Sequence, residues 1–99
     1  MRLYIVLEKA LDAGLKMAQA VHAGFLFDEE HRELRHQWYT ESNNIVVLER
    51  EDLPSLADEL EAAGFRLSRF TEPDLNGQLT AICVESAAWR KLSNLRLAA

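Results

Sequence analysis

Apolar residues along this chain form four short runs that are typical of β-strands. Residues 2–8 and 65–70 carry alternating patterns, whereas residues 45–48 and 79–84 are continuously apolar. A strand that is apolar on both sides is typical of a sheet covered by helices on both faces. We therefore expect strands near residues 2–8, 44–49, 65–70 and 79–85.

Helical spacing dominates the segments between these runs. The longest helix is predicted over about residues 10–27, and its sheet-facing stripe is predicted to be Leu11, Leu15, Ala18, His22 and Phe25. A mostly exposed second helix follows and ends at Ser42-Asn43-Asn44. A third helix begins near Glu51 or Asp52 and stops at Gly64. A short helix over 87–92 precedes an extended tail at 95–97.

The order of these elements predicts an α/β fold. A strand, a helical crossover and a strand form a parallel unit, and the short turn at 71–77 favours antiparallel pairing of the last two strands. We expect a three-layer α/β/α arrangement with a mixed, roughly four-stranded sheet. Residues 1–99 are enough for one domain and too few for two.

Composition narrows the possible partners and the compartment. The net charge of −5 argues against strong nucleic-acid binding, because phosphate contacts need cations. No stretch approaches the ~20 apolar residues of a membrane helix, and the first residues lack the features of a signal peptide, so a cytoplasmic protein is expected. The single cysteine, Cys83, forms no internal disulfide and is predicted to pack in a strand.

His22 is the main candidate for a catalytic residue. It follows Gln19 by about one helical turn, so the two side chains share one side of the predicted helix. His22 can be a general base near a cleft, or a structural histidine satisfied by a neighbouring carbonyl. His31 and His36 lack the spacing of a metal pair, and the glycines form no phosphate-binding loop. No metal or other cofactor is predicted.

Basic residues gather loosely near the C-terminus. Arg90, Lys91 and Arg96 form a small cluster, to which Lys9 and Lys16 can add a basic edge. A scattered set of solvated charges explains the same residues.

Two short segments resemble a known family. Ala18-Gln19-Ala20-Val21-His22-Ala23 follows the first strand, and Gly77-Gln78-Leu79-Thr80-Ala81-Ile82 opens the last one. In both segments, and in the order of its elements, the chain resembles the type II peptidyl-tRNA hydrolases of archaea and eukaryotes. The resemblance implies a peptidyl-tRNA hydrolase II-like domain over residues 1–99, tRNA as a partner, and Gln19, His22 and Thr80 as site residues.

The chain also departs from that family. An alignment on Ala18-Gln19 puts Leu15 at the position of the family's active-site lysine, and Lys16 lies one residue further, about 100° round a helix. Glu72 or Asp74 can stand in for the family's aspartate, and the sequence leaves this choice open. Loss of the lysine removes a cation that would bind phosphate or stabilise an oxyanion.

Two functions remain open at this point. The first is a divergent hydrolase with weak or absent activity on peptidyl-tRNA, in which His22 activates water and Thr80 or backbone donors hold the oxyanion. The second is a non-enzymatic, homo-oligomeric protein-binding module on the same fold. A basic track beside His22 favours the first, and an apolar patch of Phe27, Trp38 and Trp89 favours the second. A two-fold homodimer is expected from the aromatic residues Trp38, Tyr39 and Trp89.

Overall fold

Residues 1–98 are described by a computed structural model, in which helices cover both faces of one mixed five-stranded sheet. The strands are β1 (Arg2–Glu8), β2 (Asn44–Arg50), β3 (Leu67–Glu72), β4 (Gln78–Val84) and β5 (Arg96–Leu97). The α-helices are α1 (Ala13–Glu30), α2 (Arg32–Glu41), α3 (Leu53–Ala62) and α4 (Trp89–Leu92). None of these helices combines the length and the apolar character needed to cross a membrane.

The strands lie in the order β3-β4-β1-β2-β5. β1 and β2 are parallel, joined by the crossover through α1 and α2, and every other neighbouring pair is antiparallel. The carboxyl ends of β1, β2 and β3 therefore meet the amino end of β4 at one edge of the sheet. In the register, Glu8 lies opposite Arg50 and Glu72 lies opposite Gln78.

The predicted mixed α/β sheet is confirmed, with one strand more than expected. The tail at 95–97, expected to lie extended, pairs Arg96 and Leu97 with β2 as a short edge strand. β3 begins two residues later than predicted, because the chain is still completing the end of α3. The Phe65 amide donates to the Leu60 carbonyl, and Gly64 takes the positive φ of 89° that this helix end requires.

α1 is present, but the predicted register of its buried face is wrong. Its buried residues are Lys16, Gln19, Ala23 and Phe27. Ala18 and Phe25 are exposed, and Leu15 is only partly buried. The helix is rotated relative to the expectation because two polar residues, Lys16 and Gln19, find partners on the sheet. His22 is also exposed, so it does not belong to the buried stripe.

Two apolar cores lie on opposite faces of the sheet. One packs α3 and α4 against Tyr4, Val6 and Ile82, and the other packs α1 and α2 against Leu3, Ile5 and Cys83. β1 contributes to both cores, which explains why its residues are apolar on both sides. Burial raises the pKa of the Cys83 thiol to about 12, in agreement with its predicted role in packing.

Candidate functional site

A β-bulge turns Thr80 towards α1. In the pairing of β3 with β4, Phe70 lies opposite Ala81 and Thr71 lies opposite Leu79, so Thr80 is the extra residue. Leu79 packs in the α3 core and Ala81 in the α1 core. Regular alternation from Ala81 would point Thr80 at α3, but the bulge places its side chain on the α1 face instead. There Thr80 is fully buried and meets Gln19.

Gln19 connects Thr80 to Glu72. The Thr80 hydroxyl donates to Gln19 Oε1 at 2.8 Å, and Gln19 Nε2 donates to Glu72 Oε1 at 2.8 Å. An ionised carboxylate only accepts, so the amide nitrogen of Gln19 must face Glu72, and its oxygen is left to accept from Thr80. The hydrogen-bonded line from Thr80 through Gln19 to Glu72 is therefore directional. It starts inside the core at Thr80 and ends at the surface at Glu72. Gln19 and Thr80 are both closed to solvent.

Glu72 is the partly exposed end of this line. The Gln19 amide lowers the pKa of the Glu72 carboxyl below its ordinary 4.5, with further contributions from the Asp74 backbone N–H and the nearby His22. That N–H donates to Glu72 Oε2 at 3.3 Å. The sequence left open whether Glu72 or Asp74 is the acidic residue of the site. In the structure Glu72 contributes its carboxylate to the line, and Asp74 contributes a backbone N–H donor.

His22 lies on the exposed side of α1 next to β3. Its ring stacks on Phe70, with centroids 4.6 Å apart and planes 9° from parallel. The stack fixes the imidazole at β3 and leaves the ring open to solvent, and from there His22 makes a small electrostatic contribution to the lowered pKa of Glu72 without forming an ion pair with it. The other two histidines lie elsewhere: a His31 ring nitrogen is 3.0 Å from the Leu67 carbonyl, and His36 is exposed on α2.

Lys16 lies on the same face of α1 as Gln19, one turn before it. Its ammonium donates to Glu49 Oε2 at 2.9 Å, and the two side chains are only 11% and 6% exposed. The rotation of α1 brings Lys16 into the row of Gln19. Its charge is nevertheless directed at Glu49. The sequence analysis missed Glu49, and the available signal was an acidic residue directly after the apolar run 45–48.

A group of basic residues lines a cavity of about 500 Å³ at the same edge of the sheet. Lys9, Arg50, Lys91 and Arg96 contribute to this basic cavity, together with Glu49, Glu51 and Glu59. Within residues 1–98 none of the four cations forms an ion pair. The predicted basic edge therefore exists in part: Lys9, Lys91 and Arg96 come together with Arg50, while Lys16 is buried and Arg90 stacks on Trp89.

The basic cavity and the Glu72–His22 pair lie on one edge of the sheet but at different strands. The pair lies at β3 and the cavity at β2 and β5, three to four strands away. At about 4.8 Å per strand this is a separation of about 15–20 Å. Within the described part of the chain no three His, Cys, Asp or Glu side chains converge to hold a metal ion.

The site combines a solvent-accessible imidazole, a carboxylate close enough to interact with it electrostatically, and a buried amide that holds the carboxylate. Such a set can accept a proton from water and stabilise the cation that forms. No known protein-family model matches this chain, and a comparison with curated protein sequences gives no match either. The function is therefore argued from the site itself.

Proposed function

We propose that this chain is a divergent peptidyl-tRNA hydrolase that slowly cleaves the ester between a peptide and the terminal ribose of tRNA. The observation that carries the proposal is the hydrogen-bonded line from Thr80 through Gln19 to Glu72, which ends beside the exposed His22. The resemblance of residues 18–23 and 77–82 to the type II family supports the same substrate.

In this mechanism His22 is the general base. The imidazole takes a proton from a water molecule as the water oxygen attacks the ester carbonyl carbon. Glu72, held ionised by Gln19, stabilises the imidazolium that forms. The bond between the carbonyl carbon and the ribose oxygen then breaks, and the imidazolium returns its proton to that oxygen. Gln19 and Thr80 are positioning residues, because neither reaches solvent.

The rate of ester hydrolysis is expected to be low because the side-chain donors near the site already make other hydrogen bonds. The Thr80 hydroxyl is committed to Gln19 and the Lys16 ammonium to Glu49. The developing oxyanion is therefore met by backbone N–H groups or water. One well-placed oxyanion donor contributes about 3–4 kcal/mol in acyl-transfer sites. In this proposal His22 serves as the base and Glu72 as a nearby carboxylate, while side-chain stabilisation of the oxyanion is missing.

The basic cavity supplies the contact with RNA in this proposal. Lys9, Arg50, Lys91 and Arg96 line this cavity at the edge of the sheet where β3 also ends, so a short single-stranded 3′ end would pass along this edge to reach His22. Glu51 and Glu59 line the same cavity and weaken the attraction for phosphate. Weak, salt-sensitive binding of tRNA is therefore expected.

A second candidate is the non-enzymatic, homo-oligomeric protein-binding module. The observation that favours it is the set of large apolar side chains exposed around α1, among them Met17, Val21 and Phe25. These are not the residues expected from the sequence. Phe27 is fully buried, Trp38 is partly buried, and Trp89 lies on α4, which packs on the other face of the sheet.

The two candidates are separated by a turnover assay with peptidyl-tRNA. Wild-type protein is compared with His22→Ala and with His36→Ala, a matched change of an exposed histidine away from the site. The hydrolase proposal expects slow release of peptide that drops about 100-fold in His22→Ala and is unchanged in His36→Ala. Equal rates for all three proteins, at the level of the uncatalysed reaction, would favour the protein-binding module.

A further inference from the structure

α1 buries polar residues against the sheet and exposes large apolar residues to solvent. The side turned to the sheet carries Lys16 and Gln19, whereas the side turned to solvent carries Met17, Val21 and Phe25. These three residues recur every four positions and form one stripe, and they are 71%, 57% and 70% exposed. A surface helix normally shows the opposite arrangement, so this stripe is a face without a partner in the monomer.

The stripe continues into an open apolar groove. α1 packs on β1, β3 and β4, so the same face of β2 is left partly uncovered beside it. α1, α2, β1 and β2 enclose a groove of about 480 Å³. Its lining includes Leu3, Ile5, Trp38, Tyr39, Ile45 and Val47, and its charged lining residues, Asp28 and Arg35, pair with each other at 2.6 Å.

We propose that this face binds a second copy of the chain, with the two α1 helices packed antiparallel about a two-fold axis at Val21. In that register Phe25 lies against Met17 of the second copy, and Ala18 lies against its Gly24. The large side chains of Phe25 and Met17 then pack against each other, while Ala18 and Gly24 let the two helices approach closely. The contact uses the same patch on both copies and therefore closes as a dimer.

The charges at the ends of α1 favour the antiparallel arrangement. The last turn of α1 carries Asp28, Glu29 and Glu30 with no basic residue, and the first turn carries no acidic residue. An antiparallel partner places these carboxylates near the positive amino end of the other α1, which favours negative charge. A parallel pair would instead bring both acidic ends together. The charges at the two ends therefore favour the antiparallel over the parallel arrangement.

The exposed apolar area is large enough to form the centre of a dimer interface. Met17, Val21, Phe25, Tyr39 and Ile45 are each at least half exposed. At roughly 100 Å² per side chain these five supply about 500 Å², more than half of the ~800 Å² that one partner contributes to a standard interface, and the small residues and groove walls between them add to it. This inference does not depend on the proposed hydrolysis, because no residue of the stripe belongs to the His22 site.

Sedimentation velocity at micromolar concentration tests the interface. The wild-type chain is expected to be a dimer, and Val21→Glu, with two carboxylates at the axis, is expected to be a monomer that keeps the circular dichroism spectrum of the folded chain. Trp89→Glu changes an equally prominent exposed residue on α4 and is expected to stay dimeric. A monomeric wild type, which would leave the face to a different partner, or a dimeric Val21→Glu variant would overturn the proposal.

Cysteine cross-linking tests the register. Met17→Cys and Phe25→Cys are oxidised separately and as a mixture, and the native Cys83 is buried and serves as the internal blank. The antiparallel register predicts a disulfide dimer mainly in the mixture. Cross-linking of each variant with itself and not in the mixture would show a parallel contact and contradict the proposal. His22→Ala is expected to lose hydrolysis and keep the dimer, so the two proposals fail independently.

Discussion

Lys16 and Glu49 form a buried ion pair between α1 and the end of β2, with 2.9 Å between Nζ and Oε2. The pair fixes the rotation of α1 about its own axis, because Lys16 can reach Glu49 only when the Gln19 face points at the sheet. The same rotation delivers Gln19 to Thr80 and leaves Val21 and Phe25 in solvent. One ion pair thus links the candidate active site and the exposed stripe.

Removal of Lys16 alone is expected to destabilise the fold. Lys16→Met removes the ammonium that pairs with the buried Glu49 carboxylate, and the loss of one member of a buried pair costs about 3–5 kcal/mol. Urea denaturation measures the free energy of unfolding, with Lys9→Met as the control at an exposed lysine. The double variant Lys16→Met/Glu49→Leu is expected to recover most of the loss. A change below about 1 kcal/mol in Lys16→Met would contradict this role.

Gln19→Leu is expected to break the line to Glu72. The buried amide makes two hydrogen bonds, so its loss removes the main partner of the Thr80 hydroxyl and of the Glu72 carboxylate and costs about 1–3 kcal/mol. The pKa of Glu72 should rise towards 4.5, since the Gln19 hydrogen bond is the largest cause of its depression. An NMR titration of the Glu72 carboxyl checks this shift. The control is Gln37→Leu on α2, where the amide is exposed. An unchanged Glu72 titration in Gln19→Leu would show that the hydrogen bond is not formed in solution.

The lowered pKa of Glu72 also predicts how the free energy of unfolding depends on pH. Its pKa is lower in the folded chain than in the unfolded chain, so the unfolded state binds a proton first as the pH falls. The stabilisation is therefore complete above the unfolded value of about 4.5 and is lost as the pH falls through the folded value. Urea denaturation at several pH values between 3 and 7 should show a smaller acid-side loss for Glu72→Gln than for wild type. Parallel curves for the two proteins would be the contrary result.

The thiol of Cys83 is expected to be inert in the folded protein. It is fully buried, and its pKa of about 12 keeps it protonated at pH 8. Iodoacetamide should therefore leave the native chain unmodified and label the urea-unfolded chain. Labelling of the native protein at the unfolded rate would mean that β4 opens readily.

The strands were predictable because helices cover both faces of the sheet and make its central strands apolar throughout. Residues 45–48 and 79–84 show this directly. The rotation of α1 was not predictable, because Lys16 and Gln19 are polar and their partners lie 33 and 53 residues away. The apolar spacing of Leu15 and Phe25 predicted that this side of α1 is buried. In the structure this side includes part of the exposed face of the helix.

The candidate site was predicted in part for a similar reason. His22, Gln19 and Thr80 come from two short segments that resemble a family motif, and Gln19 and Thr80 do meet. The bulge that turns Thr80 towards α1 depends on how β3 and β4 pair, and no residue type in the sequence marks it. The roles of Glu72 and Phe70 follow from the same pairing, so they become visible only in the folded chain.

The most direct test of the central claim is a double-mutant cycle on the hydrolysis of peptidyl-tRNA. Single-turnover rates are measured for wild type, His22→Ala, Glu72→Gln and the double variant. If Glu72 acts through His22, the double variant is no slower than His22→Ala alone, because residues that act as one unit are not additive. Independent, multiplying losses from the two changes, or a wild-type rate equal to that of His22→Ala, would contradict the account.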